Sequence, residues 1–202
     1  MEIVLATRNK KKVEEIERIT VGMSISILTI DDFTGCPEVE EEGPTFEDNA
    51  AKKALAIAKY TGKPSLADDS GLEVYALNRA PGTFSSRYAG EGADDKKNIE
   101  KLLKEMRSIS DDKRDARFVC CMAFAFPDGN VKTFFGYVEG KIAREPKGDQ
   151  GFGYDPVFYP EGQNRTFAEM SSDEKDSLSH RGKALREFLK YLRELDSRTC
   201  SL

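Results

Sequence analysis

The order of apolar and polar residues predicts a chain in which strands and helices alternate. Short apolar runs such as 2–6 have the length of buried strands, whereas Val13, Ile16 and Ile19 recur at helical spacing. Strands are predicted at 2–6, 24–30, 66–74, 116–126 and 131–138. Helices are predicted after residue 7 or 9, from 45 or 48 to 60, from 94 or 95 to 106, and from 171 to 195.

The predicted strand at 66–74 contains the most unusual polar group of the chain. An apolar pair leads into Asp68, Asp69, Ser70 and Gly71, and apolar residues then resume. Two carboxylates at a strand edge suit Mg²⁺, which takes oxygen ligands and is usually held by one or two carboxylates plus substrate phosphates. The same residue types are also the commonest in turns. A metal-binding strand edge and a plain turn are therefore both open.

A basic segment marks the start of the first predicted helix. Thr7 or Asn9 can cap this helix, and three lysines follow at 10–12. Free N–H groups and the positive end of the helix dipole make a helix start a favourable place for an anion. The same dipole disfavours lysines there, so the pattern favours a phosphate over a solvated basic turn.

Three further segments carry candidate chemistry. The segment 31–44 is acidic, which is typical of a solvated loop but also allows one of its carboxylates to bind a metal ion. Asn49 and Lys53 are four residues apart and share one face of the next helix. The glycine-rich segment 148–156 either allows close approach to a ligand or forms an ordinary turn. His180, the only histidine, lies off the apolar stripe of its helix, so core burial explains it poorly.

Composition narrows the function classes. The net charge of −5 argues against a nucleic-acid-binding surface, which normally carries a basic stripe. No apolar run approaches transmembrane length, and the short acidic start is not typical of a secretory signal. The four cysteines lack metal-binding spacing, and Cys120 and Cys121 are expected to be reduced and to point to opposite faces of a strand. We therefore expect a cytoplasmic protein.

Five stretches, taken together, resemble the Ham1 family of non-canonical purine nucleoside triphosphate pyrophosphatases, also called inosine triphosphate pyrophosphatases. They are residues 6–12 (ATRNKKK), 45–50 (TFEDNA) with Lys53, 66–72 (LADDSGL), 151–156 (GFGYDP) and 178–182 (LSHRG). They follow the family's order across nearly the whole chain. Each stretch is weak evidence by itself, whereas the set is highly specific.

The resemblance implies both a fold and an activity. The fold would be an elongated, two-lobed α/β structure, with a long, mixed, twisted sheet flanked by helices and a central cleft, in one domain over 1–202. The activity would be Mg²⁺-dependent hydrolysis of ITP, dITP and XTP to the monophosphate and pyrophosphate, which cleanses the nucleotide pool. The partners would be the nucleotide substrate and a second copy of the chain, in a cytoplasmic homodimer without nucleic acid or membrane.

The family motifs also imply roles for single residues. Asp69 would be the general base and a metal ligand, with Asp68 beside it, and Glu40, with Glu41 close by, would complete the metal site. The residues that hold the triphosphate would be Thr7, Arg8, Asn9, Lys10, Lys11 and Lys12. Lys53 would make another phosphate contact, and Ser70 would bind the substrate. The nucleoside pocket would comprise Phe152, Gly153, Tyr154, Asp155, Lys175, His180 and Arg181. Many members have a glycine where this chain has Lys10 and Lys11, so these phosphate contacts follow less directly.

Two other functions compete with this interpretation. A phosphatase with Asp68 or Asp69 as a covalent nucleophile would release orthophosphate. A nucleotide sensor would use the same basic and glycine-rich segments for binding without turnover. Identifying the product of ITP as pyrophosphate, orthophosphate or nothing separates the three.

Overall fold

The computed structural model describes residues 1–22 and 25–199, over which it has six strands and five α-helices. The strands are β1 (Glu2–Leu5), β2 (Ser26–Thr29), β3 (Ser65–Val74), β4 (Asp115–Ala125), β5 (Val131–Ile142) and β6 (Phe158–Pro160). The helices are α1 (Lys10–Thr20), α2 (Phe46–Thr61), α3 (Asp95–Glu105), α4 (Ser172–Leu178) and α5 (His180–Thr199). The start of the predicted second strand, at Ser24, lies outside the described residues.

The strands form one mixed sheet in the order β2-β1-β3-β4-β5-β6. Strand β1 is parallel to β2 and β3, whereas β6 is antiparallel to β5. The expected α/β class, with a mixed sheet flanked by helices, is confirmed. Strand β6 is only three residues long and had no recognisable sequence pattern.

Side-chain caps set the starts of the first three helices. Asn9 accepts hydrogen bonds from the first N–H groups of α1, Thr45 does so for α2, and Asp94 for α3. Helix α2 ends at Gly62, which has a left-handed φ of 66° that glycine adopts readily. These caps resolve three sequence alternatives, since Asn9 rather than Thr7, Thr45 rather than Asp48, and Asp94 rather than Asp95 precede the helices.

Strand β3 continues without interruption through the Asp-Asp-Ser-Gly segment, so the predicted strand is confirmed and the alternative of a turn is excluded. One other prediction about local structure is wrong. The helix predicted over 171–195 is two helices, because Ser179 is extended, with φ −65° and ψ 155°. A capping box between Ser171 and Glu174 starts the short α4 independently of α5.

The described chain divides into two compact units, and strands β3, β4 and β5 contribute residues to both. Unit 1 is built from Met1–Asp69, Cys120–Gly136 and the chain from Arg181 onward. Its core joins residues of β1, α1, β3, β4, β5 and α5, namely Ile3, Leu5, Ile16, Leu66, Met122, Phe124, Phe134 and Phe188. Three distant parts of the sequence are thus needed for this one core.

Unit 2 is built from Ser70–Val119 and Tyr137–His180. Its core contains Leu72, Leu102, Met106, Phe118, Val138, Phe158 and Phe167. The buried guanidinium of Arg114 donates hydrogen bonds to the main-chain carbonyls of Met106, Ile142 and Ala143, at 2.7–2.8 Å. Arg114 thereby joins the end of α3 to the end of β5.

No helix within the described ranges is long and apolar enough to cross a membrane. Cys36, Cys120 and Cys121 carry free thiols, whereas Cys200 lies outside the described residues. Burial raises the pKa of Cys121 to about 12 and raises the pKa of Cys120 further. Both buried thiols are therefore held in the unreactive protonated form.

Candidate active site

Strand β3 brings two carboxylates with different surroundings into unit 1. Successive side chains of a strand point to opposite faces, so Asp68 and Asp69 meet different helices. Asp68 contacts Lys12 of α1 and Arg181 of α5, whereas Asp69 contacts Asn49 of α2. Both carboxylates are buried, with 2% and 5% of their surfaces exposed.

Asp68 is held in a network of buried charges. Its Oδ2 lies 3.0 Å from Lys12 Nζ and 3.3 Å from both Nε and Nη2 of Arg181. Arg181, 2% exposed, also forms a close ion pair with Glu15. Burial opposes ionisation of Asp68, but these cations and Lys53 outweigh it and hold its pKa well below the usual range. Asp68 is therefore a permanent counter-ion rather than a proton acceptor.

Asp69 has the opposite electrostatic setting. Burial raises the pKa of its carboxyl to about 6, and the nearby Glu41 charge adds to that effect against Lys53 and Lys12. Asn49 Nδ2 donates a hydrogen bond to Asp69 Oδ2 at 2.9 Å. A carboxylate with a pKa near neutrality accepts a proton more readily than an ordinary aspartate. Of the two carboxylates, Asp69 is the one suited to act as a base.

Lys53 joins the acidic loop to β3. Its Nζ lies 2.5 Å from Glu41 Oε1 and 2.6 Å from the main-chain oxygen of Asp68. Burial disfavours the charged lysine, yet the charges of Asp68, Glu41 and Asp69 raise its pKa, so the ammonium persists. The prediction that Asn49 and Lys53 share one face of α2 is confirmed, and that face is buried.

The geometry favours Glu41 over Glu40 as the acidic-loop partner of Asp69. Glu40 is exposed, and its main-chain oxygen accepts a hydrogen bond from Lys52 Nζ. Across the described residues, no three His, Cys, Asp or Glu side chains gather into a metal-binding group. Glu41 and Asp69 would supply only two carboxylates, which is the small number of hard oxygen donors that Mg²⁺ takes when substrate phosphates complete its shell.

The basic segment before and within α1 divides into two parts. Lys12 turns inward to Asp68, whereas Lys10 and Lys11 are exposed. Arg8 donates to Asp31 at 3.5 Å and to the main-chain oxygen of Cys36 at 3.2 Å. Thr7 Oγ1 accepts from the N–H of Asn9. The segment thus has one lysine beside Asp68 and two exposed lysines.

Unit 2 contains the second set of predicted site residues. The Oδ2 atom of Asp155 accepts the N–H of Phe152 at 2.8 Å and pairs with Lys175 Nζ at 2.6 Å. The Lys175 ammonium lies 4.8 Å from the centre of the Phe152 ring. Asp155 and Lys175 are buried. The structure thus brings Phe152, Asp155 and Lys175 together, as the motif implied, with one aromatic ring presented beside a cation.

Of the three glycines in the segment 148–156, only Gly153 has room for a ligand to approach. A Cβ on Gly148 would lie 2.2 Å from the Ala168 carbonyl oxygen, and one on Gly151 would lie 2.1 Å from Asp155 Oδ2. Gly153, with φ +60°, has nothing within 4 Å of that position. Gly148 and Gly151 therefore serve close packing inside the protein, and the predicted ligand approach applies to Gly153 alone.

His180 contradicts the sequence interpretation. It is 5% exposed, and its ring stacks on Phe118 with centroids 4.6 Å apart and an interplanar angle of 6°. The helix break at Ser179 changes the direction of the chain, so the apolar stripe of a single long helix does not apply. Sequence reasoning also missed Glu15, although its spacing of three from Lys12 places both on one face of α1.

Comparisons with known proteins identify the family of the chain. The model of the Ham1 family matches residues 3–191. A dITP/XTP pyrophosphatase from Desulforamulus reducens is 50% identical over 195 residues, covering 96% of this chain and 97% of that protein. One from Bacillus subtilis is 45% identical over 191 residues, covering 95% and 96%. The structure of a Ham1 protein from Coxiella burnetii superposes with a TM-score of 0.89 at 44% identity, covering 96% and 99%. Because sequence and fold agree over almost its entire length, the chain belongs to the Ham1 family.

Proposed function

We propose that this protein is a nucleoside triphosphate pyrophosphatase that hydrolyses the non-canonical purine nucleotides ITP, dITP and XTP to the monophosphate and pyrophosphate. Relatives named dITP/XTP pyrophosphatase, 45–50% identical over nearly the whole chain, support the reaction class. The observation that supports a hydrolytic role within the site is the contrast between the two neighbouring carboxylates, Asp68 held charged and Asp69 with its pKa near neutrality.

In the proposed reaction, Asp69 takes a proton from a water molecule whose oxygen adds to the α-phosphorus. The bond from the α-phosphorus to the oxygen that bridges it to the β-phosphorus breaks, and pyrophosphate leaves with that oxygen. The ammonium groups of Lys12 and Lys53 neutralise charge on the phosphates, which is the main requirement of phosphoryl transfer. Glu41 and Asp69 would hold Mg²⁺, which supplies further positive charge to the triphosphate when bound.

Replacement of Asp69 tests this mechanism. Asp69→Asn keeps the shape and the hydrogen bond from Asn49 but removes the base, so pyrophosphate release from ITP should fall about 10²–10⁴-fold. Asp112→Asn, on an exposed segment, is the matched control and should retain wild-type turnover. Near-normal turnover by Asp69→Asn would reject Asp69 as the base. Orthophosphate as the wild-type product would favour the phosphatase alternative, and binding without product would favour a sensor.

Base selectivity belongs to the same proposal. Hypoxanthine and xanthine carry an oxygen at position 6, whereas adenine carries an amino group. The Lys175 ammonium beside the Phe152 ring can donate a hydrogen bond to that oxygen. With adenine, the ammonium would face the amino group, which is also a donor. Sites that depend on hydrogen bonds reject wrong analogues strongly, by up to about 10⁴–10⁵. We expect kcat/KM for ITP to exceed that for ATP by at least about 10². Equal kcat/KM values for ITP and ATP would reject the proposed role in removing non-canonical nucleotides.

Two site variants refine that measurement. Phe152→Ala should weaken all purine substrates alike, because stacking does not distinguish bases. If Arg181 contacts the base, as the motif implies, Arg181→Ala should slow ITP selectively. Arg181 forms ion pairs with Asp68 and Glu15. If Arg181→Ala lowers kcat/KM for ITP and ATP by the same factor, the role of Arg181 is to position Asp68 rather than to contact the base. The homodimer, the cytoplasmic location and the Mg²⁺ requirement are further parts of the proposal, to be tested by light scattering, localisation and metal titration.

A further inference from the structure

The loop around Phe152 is held from a second side by a segment that no motif singled out. The N–H of Gly153 donates to Oδ2 of Asp95 at 2.8 Å, and the hydroxyl of Tyr154 donates to the Ser85 carbonyl at 2.9 Å. Ser85 Oγ in turn accepts the N–H of Leu72 at 2.9 Å. Two consecutive loop residues are thus tied to the chain between Ser85 and the first turn of α3.

Gly153 is the loop position at which such a tie has most effect. Gly153 has a φ of +60°, its lack of a side chain makes the backbone here permissive, and the space beside its Cα is open. The neighbouring N–H of Phe152 is already fixed by Asp155. The direction of the Gly153 peptide therefore depends on the acceptor that its N–H finds, which is the Asp95 carboxylate.

The start of α3 does not by itself account for Asp95. The cap is supplied by Asp94, whose Oδ1 accepts the N–H of Lys97 at 2.8 Å. An acid at the start of a helix also complements its dipole, and both Asp94, as the N-cap residue, and Asp95, in the first turn, contribute to this. Only Asp95 of the two reaches the loop, so the pair offers one residue with the contact and a neighbour of the same charge without it.

We propose that Asp95 is a positioning residue that fixes the Gly153 peptide for binding of the purine base. The inference rests on the proposed function, since it concerns recognition at the same loop. Asp95 remains bound to Gly153 when the nucleotide is present, and its contribution is to have the loop in the binding conformation beforehand. A loop that must be ordered by the ligand binds it more weakly.

The test compares Asp95→Ala, Asp95→Asn and the control Asp94→Ala. For Asp95→Ala, KM for ITP should rise about tenfold, with kcat within about twofold, as expected for the loss of a charge-assisted hydrogen bond that positions the site. Asparagine keeps an accepting oxygen, so Asp95→Asn should recover most of the affinity. Asp94→Ala should lower the melting temperature at least as much as Asp95→Ala while leaving KM unchanged. Calorimetric titration with IMP should show the same order of affinities without turnover.

Equal KM and IMP affinity in Asp95→Ala and Asp94→Ala would overturn the proposal, as helix-start stability would then explain both. A fall in KM for Asp95→Ala would also overturn it, because Asp95 would be competing with the ligand for the Gly153 N–H. If the wild-type protein releases no pyrophosphate from ITP, the proposed function fails instead. IMP binding that depends on Asp95 would still support the positioning role in that case.

Discussion

At the scale of residues, the site depends on how differently two adjacent aspartates are treated. Asp68 has two cations within 3.3 Å, whereas Asp69 has an amide donor and a neighbouring acid. The sequence identified both carboxylates, because paired acids within an apolar strand are unusual. Their separate states could not be predicted, because they depend on Arg181 and Glu41, which the fold brings from distant positions.

The raised pKa of Asp69 predicts that replacing this aspartate by asparagine stabilises the protein, by an amount that depends on pH. The folded protein binds this proton more tightly than the unfolded chain, with a pKa of about 6 against 3.8. The favourable contribution of the protonated group is therefore complete below about pH 4 and is lost as the pH rises through about 6. In metal-free buffer, Asp69→Asn should exceed wild type in unfolding free energy by up to about 3 kcal/mol at about pH 8. The gain should vanish near pH 4.

Urea unfolding with a chelator present measures this difference. Asp128→Asn, in the exposed turn after β4, is the control and should show no comparable change with pH. If the stability difference between Asp69→Asn and wild type is the same at both pH values, then Asp69 titrates normally.

Replacing Asp68 by asparagine should change the unfolding free energy in the opposite direction and destabilise the protein. Asp68→Asn leaves the buried Arg181 and the largely covered Lys12 short of a counter-charge, and breaking a buried ion pair costs about 3–5 kcal/mol. The exposed pair between Arg8 and Asp31 provides the control, for which Asp31→Asn should cost less than about 1 kcal/mol. Denaturant midpoints of the two variants make the comparison, and equal midpoints would show that the Asp68 network contributes little.

At the scale of elements, sequence patterns predicted the regular parts of the fold and missed its irregular ones. Helical spacing and caps placed α1, α2 and α3, since those signals are local. The break at Ser179 and the three-residue β6 depend on packing in unit 2, which no local pattern records. The same limit explains His180, whose burial against Phe118 follows from the break.

The glycine-rich loop gives a prediction at this scale. Gly151→Ala would place a methyl group 2.1 Å from Asp155 Oδ2, which must then leave Phe152 and Lys175. We expect KM for ITP to rise at least about tenfold, the effect of losing a hydrogen bond to a charged group. Gly129→Ala carries a similar backbone penalty, at φ +100°, with nothing nearby. It should lower stability without changing KM. Matching kinetics of the two variants would show that the Asp155 contact is irrelevant to binding.

At the scale of the whole molecule, each unit is assembled from separated stretches of sequence. Residues 1–69 carry Lys12, Glu41, Lys53 and both aspartates, yet their core partners come from β4, β5 and α5. The counter-ion Arg181 is also absent from that stretch. A fragment of residues 1–69 should therefore show no cooperative thermal transition by circular dichroism, in contrast to the full chain. A cooperative transition of the fragment would mean that its local contacts suffice.

The placement of Asp68 and Asp69 on consecutive positions of β3 has a consequence for how such a chain tolerates change in length. Their division of labour depends on odd and even positions, since each neighbour along a strand faces the opposite side. Inserting one residue ahead of them would bring Asp68 to the position beside Asn49, and deleting one would bring Asp69 to the position beside Lys12 and Arg181. In either case both acids would remain in the sequence, but each would lie on the wrong face of the strand. Single-residue insertions should therefore be tolerated in turns such as 127–130 and rejected within the first half of β3.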